Sequence, residues 1–421
     1  MEGNCGINPS FLTEDLLIEI QIKRWRSIIE SLDFIHRHAT FQNSASKLGN
    51  FIFQYRHWSK VSLTNYKPHF FLLSSCRSTE KDCGQWSYKN LGMSPHLSDY
   101  EDEYLDPYGT TPPGANMVGS CHGIICIHDA EPRNIILWNP ATKKSRCLPK
   151  SLPLPQEFGV LQSEFVCLVL QITFLKINNN ELNIIPKNKV QIYSLRSDSW
   201  RWCMDANFYG HTHKDNPENQ GQYLNGSYYF VGKNFRGNEM MDVLHSYVNL
   251  ERVIFSFNFS RESLRVIPVP DITLWSDVVV HAPDITSRLD VIGGDQGKIV
   301  YIAGSLNSTS RVYEVYALDD YDYSCSATNV ENNEYSWSKL HMFTINHPCG
   351  YSGYGPKAIT KNGMSGFLCG YSGGLVFINL LREEMKDIEV IDASLEGVDV
   401  VSRADVYKES LVSIDGAVFK S

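Results

Sequence analysis

The sequence predicts a mainly β protein: a six-bladed β-propeller-like domain closed by the C-terminal strand, with a short helical module ahead of it. Three observations carry this expectation. First, the stretch GSCHGIICIHDAEPRNIILWNPATKKSRCLP (Gly119–Pro149) holds two apolar runs, Ile124–Ile127 and Ile135–Trp138, parted by His128, Asp129, Pro132 and Asn134. A turn at Asn139-Pro140-Ala141-Thr142 and a return run ending at Leu148 follow. Short β-branched and aromatic runs bounded by such residues read as an antiparallel meander. Second, units of the same kind start at residues 70, 135, 190, 253, 312 and 375, a near-constant step that means stacked or closed β repeats. Third, the tail YKESLVSI (Tyr407–Ile414) is a strand with no unit of its own, free to pair with Phe70–Leu73 and complete the first sheet.

The elements follow in order. Residues 1–40 form the helical module, with 12–38 as its helical part and room for one continuous helix between Glu14 and Leu32, which hold no Gly or Pro between them. Thr13 suits an N-cap, and Glu14 and Asp15 suit the positive end of the helix dipole. Ile18, Ile22, Trp25, Ile29 and Leu32 recur at steps of 4, 3, 4 and 3, a helical face, beside a stripe of Leu16, Leu17 and Ile20. Residues 41–67 read as a linker and 68–421 as the β domain. Within it the expected pairs are Phe70–Leu73 with Trp86–Tyr88, Ile135–Trp138 with Ser145–Leu148, and Val190–Leu195 with Trp200–Cys203. Val253–Phe259 with Leu264–Ile267, Val312–Leu318 with Trp337–Phe343, and Leu375–Ile378 with Ile388–Ile391 complete the set. Each is an apolar strand, a polar turn and a return strand, led by Trp or Leu except where it starts at Ser145 or Ile388.

Composition narrows the function. The 421 residues carry a formal net charge of −9, which disfavours a nucleic-acid binder because phosphate recognition needs clustered Lys and Arg. No apolar stretch nears the roughly 20 residues that cross a bilayer, and the N-terminus lacks a signal-peptide pattern. Eleven irregularly spaced cysteines then read as reduced thiols. The expectation is a cytoplasmic protein, with the nucleus as the alternative.

No residue set reads as catalytic, and neither a cofactor nor a metal is expected. Gly370-Tyr371-Ser372-Gly373-Gly374 has the spacing of a hydrolase elbow, but a strand follows and no His lies after His347. Cys121, His122, Cys126 and His128 crowd one stretch. Strand parity would put the last three on one face, yet His122 and Cys126 would sit about 13 Å apart at 3.3 Å per residue. That is too far to share a zinc ion.

LTEDLLIEI (Leu12–Ile20) and KRWRSIIESLDFIHRH (Lys23–His38) resemble the opening and close of the F-box of plant F-box proteins. The usual Pro is Thr13 here, and the middle of the module is missing between Ile20 and Lys23. LWNPATKKSRCLP, VQIYSLRSDSWR, YLNGSYYFVG, VIFSFNFSRESLRVIPVPD and YKESL resemble, in the same order, the kelch-like F-box-associated domain. DFIHRH, YSWSKL and YKESL are similar to the S-locus F-box group, while its Gly-Phe-Gly signature is degraded to EFGVLQSEFVCLVL (Glu157–Leu170).

The resemblance implies a substrate-recognition subunit of an SCF-type ubiquitin ligase, a binding protein rather than an enzyme. Leu12, Leu16, Leu17, Ile20, Trp25, Ile28 and Ile29 would face a Skp-type adaptor, and through it a cullin. The alternative is a degenerate F-box protein that no longer binds the adaptor and keeps only a protein-binding propeller. Two acidic, Tyr-rich segments, containing Glu101, Asp102, Glu103 and Tyr104, and Asp319, Asp320 and Tyr321, suit a rim for a basic protein target. In the S-locus group the target implied is a basic self-incompatibility ribonuclease.

Overall fold

The computed structural model describes residues 14–29, 31, 33–35, 37–38, 48–58, 68–75, 86–92, 115–128, 135–152, 161–167, 170–176, 187–195, 197–206, 221–235, 250–272, 286–293, 297–306, 310–319, 335–346, 355–369, 375–388 and 398–414. The chain opens with helix α1 (Glu14–Ile29). Strands β1 (Asn50–Trp58), β2 (Pro68–Ser75) and β3 (Trp86–Gly92) belong to the first sheet. The second holds β4 (Asn116–Cys121), β5 (Ile124–His128), β6 (Ile135–Asn139) and β7 (Lys144–Cys147). The third holds β8 (Leu161–Cys167), β9 (Leu170–Lys176), β10 (Lys187–Ser194) and β11 (Ser199–Ala206). β12 (Gln222–Leu224), β13 (Ser227–Phe235), β14 (Leu250–Asn258) and β15 (Ser263–Pro268) make the fourth. β16 (Thr286–Ile292), β17 (Lys298–Leu306), β18 (Ser310–Leu318) and β19 (Trp337–Asn346) make the fifth. β20 (Gly355–Ile359), β21 (Ser365–Cys369), β22 (Leu375–Asn379) and β23 (Glu384–Ile388) make the sixth. Finally β24 (Val398–Val406) returns to the first sheet, whose order is β24-β1-β2-β3. The fold is mainly β, a β-propeller arrangement of four-stranded antiparallel sheets.

Both faces of a sheet are buried, which is why the middle strands read as unbroken apolar runs rather than as alternation. Along β1, Phe51, Phe53 and Tyr55 pack with Phe367, Leu375 and Phe377 of the sixth sheet. Ile52, on the opposite face, packs with Met117, Ile125 and Trp138 of the second. The same logic joins the second, third and fourth sheets through Leu137, Val190 and Phe255. It joins the fourth to the fifth through Tyr229 and Tyr301, and the fifth to the sixth through Val315 and Val376.

The outer hairpins repeat one turn. Asn139, Asn258 and Asn379 each end a strand and use the side-chain oxygen to accept backbone N–H bonds from the turn that follows, at Ala141, Arg261 and Leu381. Such Asx capping favours the turn over continued strand. Each turn closes on a residue in the left-handed region: Lys143 (φ 56°), Glu262 (φ 49°) and Glu383 (φ 54°), with Asp198 (φ 52°) in the same place in the third sheet.

Three expectations are corrected. Residues 50–58, expected within a linker over 41–67, form β1, so the β domain begins before residue 68. The segment that joins the first sheet is not Tyr407–Ile414 at Phe70–Leu73 but Val398–Val406 against β1, with Phe53 opposite Ala404. Tyr407–Ile414 crosses the second sheet instead, where Asn139 Nδ2 donates to the carbonyls of Ser410 and Val412, both at 2.9 Å. The outer strand of the last unit, expected at Ile388–Ile391, is Glu384–Ile388. The degraded stretch around Glu157–Leu170 still supplies β8, paired with β9. Among the described residues, no helix is long and apolar enough to cross a membrane.

Candidate interaction surfaces

Helix α1 spans 16 residues, about 24 Å at 1.5 Å per residue. It lacks Gly and Pro throughout, and Glu19 and Lys23 pair one turn apart at 2.7 Å. Beyond its end, Ser31 Oγ donates to the carbonyl of Ile28 (2.7 Å) and accepts from Phe34 N–H. Ile22 (61% exposed), Trp25 (63%), Ile28 and Ile29 stand open to solvent. Positions 22, 25 and 29 share one helical face and 28 adjoins 25, so these side chains form an apolar stripe. Such a stripe on a helix is the usual form of a helix-in-groove contact. An amphipathic helix docked on its own β domain would bury these residues, and it does not. Leu16, Leu17 and Ile20 lie in α1, with side chains outside the described set, as is Leu12.

Of the acidic, Tyr-rich segments, Glu101, Asp102, Glu103, Tyr104, Asp320 and Tyr321 lie outside the described residues. Asp319 does not stand free for a partner. Its carboxylate accepts from Ser338 Oγ (2.9 Å), Ser336 Oγ (3.2 Å) and Lys298 Nζ (3.3 Å), and these bonds, led by Ser338, hold its pKa below the ordinary value. It thereby clasps the ends of β17, β18 and β19.

Polar side chains missed at the sequence level tie neighbouring sheets together. Gln54, fully buried on β1, donates from Nε2 to Ala115 O (2.9 Å) and accepts at Oε1 from Met117 N–H (2.6 Å) at β4. Gln191 on β10 grips Leu152 in the same two-pronged way, at 2.9 and 3.1 Å. Asp405 on β24 accepts from Ser120 N–H (2.5 Å) on β4, and Asp290 on β16 accepts from Ile359 N–H (2.7 Å) on β20. Arg288 donates to Ala404 O across the centre (2.9 Å). Burial pushes the Asp405 carboxyl up to about 7 and raises that of Asp290, with Arg288 opposing both.

Farther out, the indole N–H groups of Trp200 and Trp337 donate to the carbonyls of Pro149 and Pro268 beside the preceding sheet, at 2.8 and 3.0 Å. Arg146 pairs with Asp198 and Arg201 with Glu262, again from one sheet to the turn of the next. This explains the Trp at the start of β11 and of β19. The indole spans the gap between units.

His122 sits in the β4–β5 turn with φ 50°, not on a strand face, so the parity drawn between it and Cys126 does not apply. Burial pushes the thiols of Cys121 and Cys126 up to about 12, which keeps them protonated near neutrality. Among the described residues, no three His, Cys, Asp or Glu side chains are grouped to hold a metal. Ser372 lies outside the described residues.

A family model described as the F-box associated beta propeller domain matches residues 97–414. An F-box/kelch-repeat protein of Arabidopsis thaliana is 22% identical over 286 residues, which cover 62% of this chain and 65% of that protein. The match thus spans less than two thirds of the relative's length. Likeness to solved structures is distant. An oligogalacturonate lyase in complex with manganese gives 12% identity and a TM-score of 0.34 over 79% of this chain and 75% of that one. A nidogen/laminin complex gives 8% and 0.35 over 86% and 100%. With three quarters of its length matched, the chain belongs to the F-box associated beta propeller domain family.

Proposed function

We propose that this protein is the target-recognition subunit of an SCF-type ubiquitin ligase. In this reading α1 docks a Skp-type adaptor, which brings a cullin, and the six sheets form one ring of blades that holds a protein target. The observation that carries it is the exposed stripe of Ile22, Trp25, Ile28 and Ile29 on a helix ahead of a family β-propeller domain. The ring is supported by the pairing of β24 with β1 and by buried clusters that link each sheet to the next and the sixth to the first. The target is a basic protein, met by the carboxylates of Glu101, Asp102 and Glu103 in the cytoplasm or nucleus, and a self-incompatibility ribonuclease has that chemistry. Asp319, already clasped, contributes shape rather than free charge.

A second reading is favoured by the missing segment between Ile20 and Lys23. A single helix offers little of the roughly 800 Å² per partner that specific interfaces bury. The chain would then be a binding propeller that has lost its adaptor. Co-expression with a Skp-type adaptor separates the two. The full chain should retain the adaptor through purification, and Trp25→Arg with Ile29→Arg should lower affinity about a hundredfold, since central aromatic anchors are worth 2 kcal/mol or more. Failure of the unaltered chain to retain any adaptor would leave the second reading standing.

A further inference from the structure

Helix α1 leaves one face uncovered, and the spacing on that face is that of a helix pair. Ile22, Trp25 and Ile29 are exposed and recur at steps of 3 and 4, with position 18, also Ile, a step of 4 earlier. A repeat of 3.5 residues is the seam of a coiled coil, where such residues of one helix insert between those of another. Ile28 (42% exposed) flanks this seam. A free helix of 16 residues is marginal in water, so a cover for this face would steady the element as well as remove apolar surface from solvent.

The order of charges says which partner fits. Along α1 the acidic residues Glu14, Asp15 and Glu19 all precede the basic residues Lys23, Arg24 and Arg26. Acid first and base last suit the dipole of a single helix. The same order makes the helix complementary to itself when a second copy is turned end for end. In that register position 22 of one protomer meets position 25 of its partner, and 18 meets 29. Positions 19 and 26 then flank the seam on one side, so Glu19 of each protomer falls opposite Arg26 of the other. A parallel pair would set the acidic halves together, with Glu14 against Glu19, and like charges there repel. The antiparallel pair is two-fold symmetric and closes on itself.

We propose that two copies of this protein associate through α1 as a short antiparallel helix pair. A seam of about 24 Å falls below the usual size of a stable interface. The pair is therefore weak and reversible, single chains when dilute and pairs at tens of micromolar. Self-association does not rest on the adaptor reading. Where both hold, adaptor and second copy compete for one stripe, and the chain without its adaptor is the form that pairs.

Sedimentation equilibrium of the full chain alone, from about 1 to 200 µM, tests this in the range where a small interface holds. The mass should rise from that of one chain to twice that value. Trp25→Arg with Ile29→Arg should keep the mass of one chain throughout and melt as the unaltered protein does, because both side chains are exposed. Glu19→Arg and Arg26→Glu should each weaken pairing about tenfold, since two contacts of opposite charge become two of like charge. Glu19→Arg also breaks the pair with Lys23 inside the helix, whereas Arg26→Glu leaves it intact. Mixing these two variants should restore pairing, because both contacts again join opposite charges. The proposal is overturned if the unaltered chain keeps the mass of one chain at 200 µM, or if Trp25→Arg with Ile29→Arg still doubles in mass. A mixture that pairs no better than either variant alone would overturn the antiparallel register.

Discussion

Removing residues 398–421 should abolish cooperative folding. The deletion takes away β24, leaving β1 as an unpaired edge along its whole length and exposing the face on which Val401 and Ala404 pack with Phe51 and Phe53. It also removes Asp405 from Ser120, Arg403 Nη1 from Met117 O (2.6 Å), and the carbonyls that Asn139 grips, so the second sheet loses its cover as well. Buried Ile414 goes with them. Domains of ordinary stability hold only about 5–15 kcal/mol in total, and the loss of a strand paired over nearly its full length exceeds that. The deletion variant should accumulate as insoluble protein with no sharp unfolding transition. Co-expressing residues 395–421 as a separate peptide should restore soluble protein by strand addition. A soluble deletion variant that unfolds sharply near the normal temperature would contradict this account of β24.

The second large effect belongs to one side chain. Gln54→Leu keeps volume close to the original but orphans Ala115 C=O and Met117 N–H at a fully buried position between the first and second sheets. Each unsatisfied buried group costs about 1–3 kcal/mol, so roughly 2–6 kcal/mol should be lost, a large part of the whole. Denaturant titration reads this as a lower midpoint at unchanged slope. Gln191→Leu, which breaks the same device at Leu152, should act in the same direction, and the two losses should add because the sites share no partner. A change below about 0.5 kcal/mol, the ordinary range for surface substitutions, would show that the amide bridges carry little.

What could be read from the sequence follows from where each strand lies. The outer hairpins were legible because each combines an apolar run, a polar turn opened by Asn or Ser, and a return strand led by a bulky side chain, as in Asn258–Glu262 between β14 and β15. The inner strands were not. β4, β16 and β24 run near the centre of the propeller and carry Ser120, Arg288, Asp290 and Asp405 for bonds between sheets, so their apolar pattern is broken. β1 resembles a linker in sequence because its partner β24 lies at the far end of the chain and Gln54 interrupts its apolar run. Asp399, Arg403 and Asp405 break up Val398–Val406, whereas Leu411, Val412 and Ile414 give YKESLVSI an apolar end, so the sequence points to the latter. On the functional side, spacing alone places Ile22, Trp25 and Ile29 on one face of α1, while Ile28 enters only through the resemblance. Whether Asp319 stands free is not legible, because its clasp by Ser336, Ser338 and Lys298 is a property of packing and leaves no trace in residue order.

Amide hydrogen exchange of the full chain, alone and with a Skp-type adaptor, tests the central claim most directly: a propeller joined end to end, with a helix left outside it for a partner. The account predicts that residues 50–58 and 398–406 exchange slowly and together, as strands that open only with the whole domain. Residues 14–29 should exchange fast alone and be the segment that gains protection when adaptor is added. Rapid exchange across 398–406, or adaptor protection that falls elsewhere than 14–29, would contradict it.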